Sequence, residues 1–197
     1  MKSNIPKNFN STKICVNQSR FLSFVHGVKS VDDVKKIIKE YRVKYYDATH
    51  VCYGYCILIK NDLSYSGSDD NEPKNSAVIP ILKAIKQFDM VNTLIIVIRY
   101  FGTSLLGKKL LSKTYYDVSF KVLESLEKQQ VTRMYHYEIS FKINDTKLYQ
   151  KMINQINEFT IIKKEYKSDC VRIELRSKDQ INFDNDKITI RLKDYGY

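Results

Sequence analysis

Three clusters in this chain hold residue types that do chemistry. His50, Cys52 and Cys56 lie close together; so do Asp69, Asp70 and Glu72; and Arg99-Tyr100-Phe101-Gly102 directly follows the apolar run Leu94-Ile95-Ile96-Val97-Ile98. Histidine and cysteine ligate zinc, and in a strand positions i, i+2 and i+6 share one face. A strand rises about 3.3 Å per residue, so His50 and Cys56 stand about 20 Å apart, while zinc ligands sit within about 2.3 Å of the ion. One ion cannot take all three, and the chain has no Cys-x-x-Cys pair to complete a site. Buried thiols and a polar histidine at a strand start are the favoured reading.

Asp69, Asp70 and Glu72 place three carboxylates within four residues of a basic chain. Such a loop can hold Mg²⁺ with water or phosphate completing the shell. It can equally pair with Arg99 or Arg20, or form a turn whose Asp and Asn residues bond their own backbone. An arginine-paired structural loop is favoured, because hard-ion sites draw ligands from more than one segment. Mg²⁺ on Asp70 and Glu72 stays open as the only cofactor the residues suggest.

Arg99 ends an apolar strand, where ligands of α/β sheets commonly bind. Its guanidinium can grip a phosphate bidentately while Tyr100 or Phe101 stacks on a base. Alternatively Arg99 pairs with the acidic loop and an aromatic ring finishes the core; both readings stay open. The three histidines, His26, His50 and His136, have no Ser or Cys partner motif, and no G-x-S-x-G, Walker or G-x-G-x-x-G sequence occurs. No catalytic residue is assigned.

In order, Ser19-Arg20-Phe21, Asp47-Ala48-Thr49-His50-Val51-Cys52-Tyr53, Ser68-Asp69-Asp70-Asn71-Glu72-Pro73 and Arg99-Tyr100-Phe101-Gly102 resemble the IMPACT/YigZ family. Its members read K-x-S-R-F, D-A-x-H-x-C-Y-A-Y, S-D-D-G-E-P-x-G-T-A-G and R-Y-F-G-G-x-x-L-G. The resemblance covers about residues 12–127. It implies a first domain folded like the second domain of ribosomal protein S5 and domain IV of elongation factor G. It also implies a small second domain like domain V of that factor. It marks Arg20, His50, Cys52, Asp69, Asp70, Glu72, Arg99, Tyr100, Phe101 and Gly102 as motif or ligand-binding candidates.

The chain departs from the family in its glycines: Asn71 and Asn75 stand in the acidic loop, Thr103 follows Gly102, and Lys108-Lys109 replace the usual Thr-Gly. A backbone phosphate cradle is thereby weakened, with the two lysines as a side-chain substitute.

The elements that must position these residues follow from periodicity. Strands are expected over 12–18 and 20–28, broken at Ser19. A helix capped by Ser30 follows, with Asp32 and Asp33 in its first turn. A strand over 49–60, a return over 62–66 and a polar loop over 67–75 come next. Then come a helix over 76–88 with Pro80 in its first turn, a central strand over 93–100, and a long helix over 106–128. That last helix should turn Leu106, Leu110, Leu111, Val118, Val122 and Leu126 inward. Beyond a boundary at 130/131 the pattern reads strand 132–143, helix 145–158, strands 159–167 and 169–176, short helix 178–184 and strand 187–193. That order is the ferredoxin-like βαββαβ motif, so the fold class expected is α+β.

Composition narrows the partners. A hydrophobic content of 43% suffices for ordinary cores. No run reaches the roughly 18 apolar residues of a membrane helix, and residues 1–10 lack a secretory apolar core, so a cytoplasmic protein is expected. Four scattered cysteines read as reduced thiols. The net charge is +11, and residues 1–130 hold 20 Lys+Arg against 12 Asp+Glu. A basic surface attracts polyanions through counterion release. Lys35, Lys39, Arg42, Lys108 and Lys109 are the candidate nucleic-acid contacts. The expected function is a non-catalytic protein of the translation apparatus that binds RNA or the ribosome. The alternatives are a Mg²⁺-dependent enzyme acting on a phosphorylated small molecule or nucleotide, and a protein-partner module docking through the second domain's sheet.

Overall fold

The computed structural model describes residues 2–59, 62–156, 158–181 and 187–196. The chain divides into two compact units, Lys2–Val131 and Thr132–Tyr197.

The first unit is built on a five-stranded sheet. Its strands are β2 (Asn10–Val16), β3 (Ser19–Gly27), β4 (His50–Ile59), β5 (Asp62–Ser68) and β6 (Thr93–Tyr100). They lie in the order β2-β3-β6-β4-β5, and every neighbouring pair is antiparallel. β6 is the middle strand and is buried from Thr93 to Arg99, which is why it reads as an unbroken apolar run rather than an alternating one.

Helices cover both faces. Helix α1 (Val31–Lys44) starts in a capping box: the Ser30 hydroxyl accepts from Asp33 N, and the Asp33 carboxylate accepts from Ser30 N. It buries Val34, Ile38 and Tyr41 against Ile57, Leu94, Ile96 and Ile98. The opposite face receives α2 (Val78–Gln87) and α3 (Gly107–Glu124). There a Cβ on Gly54 would stand 2.9 Å from Ile81 Cγ2, so glycine lets α2 approach β4.

Several boundaries differ from expectation. Strands β2 and β3 part at Asn17-Gln18, with φ of 44° and 62°, and not at Ser19, which is buried at the start of β3. Two consecutive left-handed residues make a tight turn whose twist suits antiparallel strands. Helix α3 ends at Glu124, four residues before Lys128 opens β7 (Lys128–Thr132), which pairs with β1 (Lys2–Pro6). Neither of these short strands has an alternating signature. Leu110, expected inward, is 37% exposed.

The second unit runs β8 (Met134–Lys142), α4 (Thr146–Ile156), β9 (Thr160–Tyr166), β10 (Cys170–Ser177) and β11 (Ile188–Gly196). Its sheet has the order β11-β8-β10-β9 with antiparallel neighbours. Tyr137, Ile139 and Phe141 of β8 pack with Leu148, Met152 and Ile156 of α4 and with Val171, Ile173 and Leu175 of β10. Of the short helix expected over 178–184, residues 178–181 are bends and coil, and 182–184 lie outside the described residues. Both units mix helix and sheet. Among the described residues no helix is long and apolar enough to cross a membrane.

Candidate functional site

Sheet register brings three of the four motifs into one row. Arg99 of β6 lies opposite Phe21 of β3 on one side and His50 of β4 on the other. Alternation turns these side chains, with Cys52, toward the helices α2 and α3. The Arg99 guanidinium lies between the Phe21 and Phe101 rings, 5.4 and 5.3 Å from their centres. There it meets Glu72: Arg99 Nη1 donates to both carboxylate oxygens, at 2.7 and 2.9 Å. Both side chains are almost fully buried, 5% and 2% exposed.

Glu72 is held from a second side by α3. The Tyr115 hydroxyl donates to Glu72 Oε1 at 2.7 Å and lies 3.2 Å from Cys52 Sγ. Burial, then the neighbouring Cys52 and Glu72, holds the Tyr115 phenol well above its ordinary range, so it keeps the proton it donates. His50 Nδ1 lies 2.8 Å from the Asp70 carbonyl; a carbonyl only accepts, so this nitrogen carries the hydrogen. The other ring nitrogen faces Glu72 at 3.8 Å.

The remaining loop carboxylates are also engaged. Asp69 Oδ1 accepts from Ala77 N and Val78 N, and Oδ2 accepts from Asn75 N. It therefore caps α2 from a distance in sequence, where Ala77, the residue at the cap position, has no side chain to do so. Asp70 Oδ2 accepts from Val51 N, and Oδ1 pairs with Arg42 at 2.6 Å. The loop turns through left-handed residues at Asp70, Asn71 and Asn75, with φ of 45°, 68° and 66°. Asparagine and aspartate tolerate that region, which is how the loop forms without the family's glycines.

The motif thus spends its carboxylates internally. Glu72 answers Arg99, Asp70 answers Arg42, and Asp69 answers a helix end. The Mg²⁺ site on Asp70 and Glu72 would need oxygens that backbone amides, arginines and Tyr115 already hold. Arg99, open to two readings in the sequence, pairs with Glu72 of the acidic loop. Among the described residues no group of three or more His, Cys, Asp and Glu side chains is placed to hold a metal ion.

Other motif residues fasten the outer edge. The Arg20 guanidinium lies 4.7 Å from the centre of the Tyr100 ring, and the Tyr100 hydroxyl donates to Asp47. Phe101 N donates to Thr49 Oγ1, and Gly102 N donates to Ser19 Oγ. A Cβ at Gly102 would come within 2.6 Å of backbone atoms of Asn17, Ser19 and Gln18, so the β2–β3 turn can pass only because this residue is glycine. Lys35 reaches Asp32 on the surface of α1, Lys39 lies on the same helix, and Lys108 and Lys109 are exposed in the first turn of α3.

Tyr115 and Ser19 complete this arrangement but were not among the sequence candidates. Tyr115 was legible as an inward position of α3, between Leu111 and Val118. Ser19 begins the first motif, in which the neighbouring Arg20 is the stronger chemical signal at the level of sequence.

Cys52 is fully buried, and burial pushes its thiol far above its ordinary range, only partly offset by the Tyr115 hydrogen bond. It is no nucleophile in this state. Thiol labelling of native protein is expected to modify exposed Cys15 and to reach Cys52 and Cys56 only after denaturation. Fast native labelling at Cys52 would contradict the packing.

A mixed α/β protein of two units, with a strand-end arginine locked onto a loop glutamate, is the class these features define. The model of the Impact N-terminal domain matches residues 17–123, and the chain belongs to the IMPACT family. It is 30% identical over 103 residues to IMPACT family member YvyE of Bacillus subtilis (strain 168), a stretch that is 52% of this chain and 47% of that one. It is 25% identical over 154 residues to IMPACT family member YigZ of Escherichia coli (strain K12), covering 78% and 75% of the two chains. The chain thus spans about half the length of the Bacillus relative. A solved structure described as a hypothetical protein shares the fold, with a TM-score of 0.64 at 22% identity over 89% of this chain and 84% of that one.

Proposed function

We propose that the protein is a non-catalytic binding protein of the translation apparatus, contacting RNA or the ribosome through its basic first unit. One observation carries this reading: the charged motif residues are consumed in holding loop, strand and helices together. Those pairs leave the surface lysines as the chemistry on offer. Residues 1–130, with 20 Lys+Arg against 12 Asp+Glu, suit a polyanionic partner.

The finer fold assignments support the same direction by analogy. The strand order β11-β8-β10-β9 with one helix supports reading the second unit as ferredoxin-like and as a counterpart of domain V of elongation factor G. The first unit is read as the counterpart of the second domain of ribosomal protein S5. The cytoplasm is the compartment this reading requires.

Co-sedimentation with purified ribosomes across a salt series tests it. Association should weaken steeply with salt and disappear after nuclease treatment. Replacing Lys108 and Lys109 by Glu should weaken it further and flatten the salt dependence. No association at low salt would remove the proposal, and unchanged affinity in the double variant would remove those two lysines.

A further inference from the structure

We propose that the partly open face of β4 and β5 beside α1 is a binding strip for single-stranded RNA, with bases stacked on Tyr53 and Tyr55 and phosphates met by Lys35 and Lys39. The inference rests on the nucleic-acid reading above and gives it a location and a strand form.

The pleat of β4 sends Cys52, Gly54 and Cys56 toward α2 and α3, and Tyr53, Tyr55 and Ile57 toward the α1 side. Register sets Ser68, Ser66 and Ser64 of β5 opposite those three residues. Ile57 is fully buried, whereas Tyr53, Tyr55, Ser64 and Ser68 are half-buried and Ser66 is exposed. Helix α1 therefore covers this margin only in part: Tyr53 and Tyr55 pack on one side against the core cluster beneath α1 and stay half-exposed, and β5 is the edge strand.

The helix presents its cations to that margin. Lys35, Lys39 and Arg42 follow the i, i+4, i+7 spacing of one helical stripe. Arg42 fixes which way the stripe faces, because it reaches Asp70, just beyond the end of β5. The opposite flank of α1 packs on β3, where the Tyr41 ring meets Phe24 and His26. The Lys35–Asp32 pair is exposed and worth little, so it does not withhold the lysine. Lys39 makes no ion pair among the described residues.

Two rings on alternate residues stand about 7 Å apart along a strand, far enough for each to take a separate, unstacked base. Between β4 and β5 the strip offers hydroxyls and no carboxylate; Asp62 and Asp70 lie at its ends. Aromatic faces on a sheet beside a cationic track are what single strands need. A duplex keeps its bases stacked and could use only the lysines. A protein segment would instead pair with the free edge of β5.

The test uses the full chain and a labelled oligouridylate of about 12 nucleotides, followed by fluorescence anisotropy, with a blunt RNA duplex of equal length as comparison. The single strand should bind at least about tenfold more tightly than the duplex. Tyr55→Leu should weaken it about tenfold while Tyr55→Phe leaves it unchanged. Lys39→Glu should reduce the slope of log affinity against log salt by about 0.7 or more. Melting temperatures confirm that the variants are folded, and Tyr53→Leu replaces Tyr55→Leu if that one is not. A folded leucine variant that binds like wild type, or a duplex bound equally well, overturns the proposal. Ribosome co-sedimentation separates the two levels. If ribosomes bind in a nuclease-sensitive way but the oligonucleotide does not, the strip falls and the RNA reading survives. If neither binds, both fall. Nuclease-resistant association that Tyr55→Leu abolishes would make the strip a protein dock and overturn the proposal.

Discussion

Replacing Glu72 by alanine is expected to destabilise the first unit by about 3–5 kcal/mol, the usual cost of leaving a buried charge without its partner. Arg99 would remain between Phe21 and Phe101, out of reach of water, and the Tyr115 hydroxyl would lose its acceptor. The loss should be far smaller when both charges go together, as in Glu72→Leu with Arg99→Met. Apolar residues of similar size often replace a buried ion pair without net loss. Denaturant unfolding of the two single variants and the double variant measures the coupling. A single-variant loss below about 1 kcal/mol would show that the pair does not carry the loop. Additive losses would show that Glu72 and Arg99 act through different neighbours.

Asp69→Ala is the second large effect, at about 3 kcal/mol. The substitution strips an ionised acceptor from three backbone N–H groups, and each such hydrogen bond to a charged group contributes about 1.5–3 kcal/mol. Water can replace the carboxylate at exposed Asn75, but not at Ala77, which is completely buried. Asp69→Asn keeps one oxygen and so preserves the bonds from Ala77 and Val78, losing the charge and the Asn75 contact. It should lose less than half as much as alanine. Equal losses in the two variants, followed by denaturant midpoint, would sink the capping role and point to a charge effect of Asp69 alone.

These two predictions make the motifs structural first. The acidic loop joins the end of β5 to α2, ties the start of β4, and plugs the end of β6 with Glu72. Chemistry in the motif is spent on assembling three segments far apart in the chain. What can meet a partner is the surface that assembly holds in place.

The local pattern along the chain was enough to place most elements. Unbroken apolarity over 94–98 marks a strand covered on both faces, because a middle strand under helices buries both sets of side chains. The Ser30 and Asp33 capping signal starts α1, since a capping box is made within four residues. Family membership was legible too, because motif order and spacing are linear properties. Short strands β1 and β7 were not, as each is defined by a partner more than a hundred residues away. Nor was the end of α3, where the helical pattern ran on toward Lys128.

The candidate site divides along the same line. Residue types alone left Arg99 free to bind a phosphate or an acidic side chain, and left three carboxylates free to hold an ion. Only the sheet register, which sets Arg99 between Phe21 and His50, and the packing of α3, which brings in Tyr115, decided among them. The physical reason is that a charge in water keeps every partner open, whereas a buried charge must be matched by whatever the fold places beside it. The chain itself determined which residues could pair; the tertiary structure decided which did.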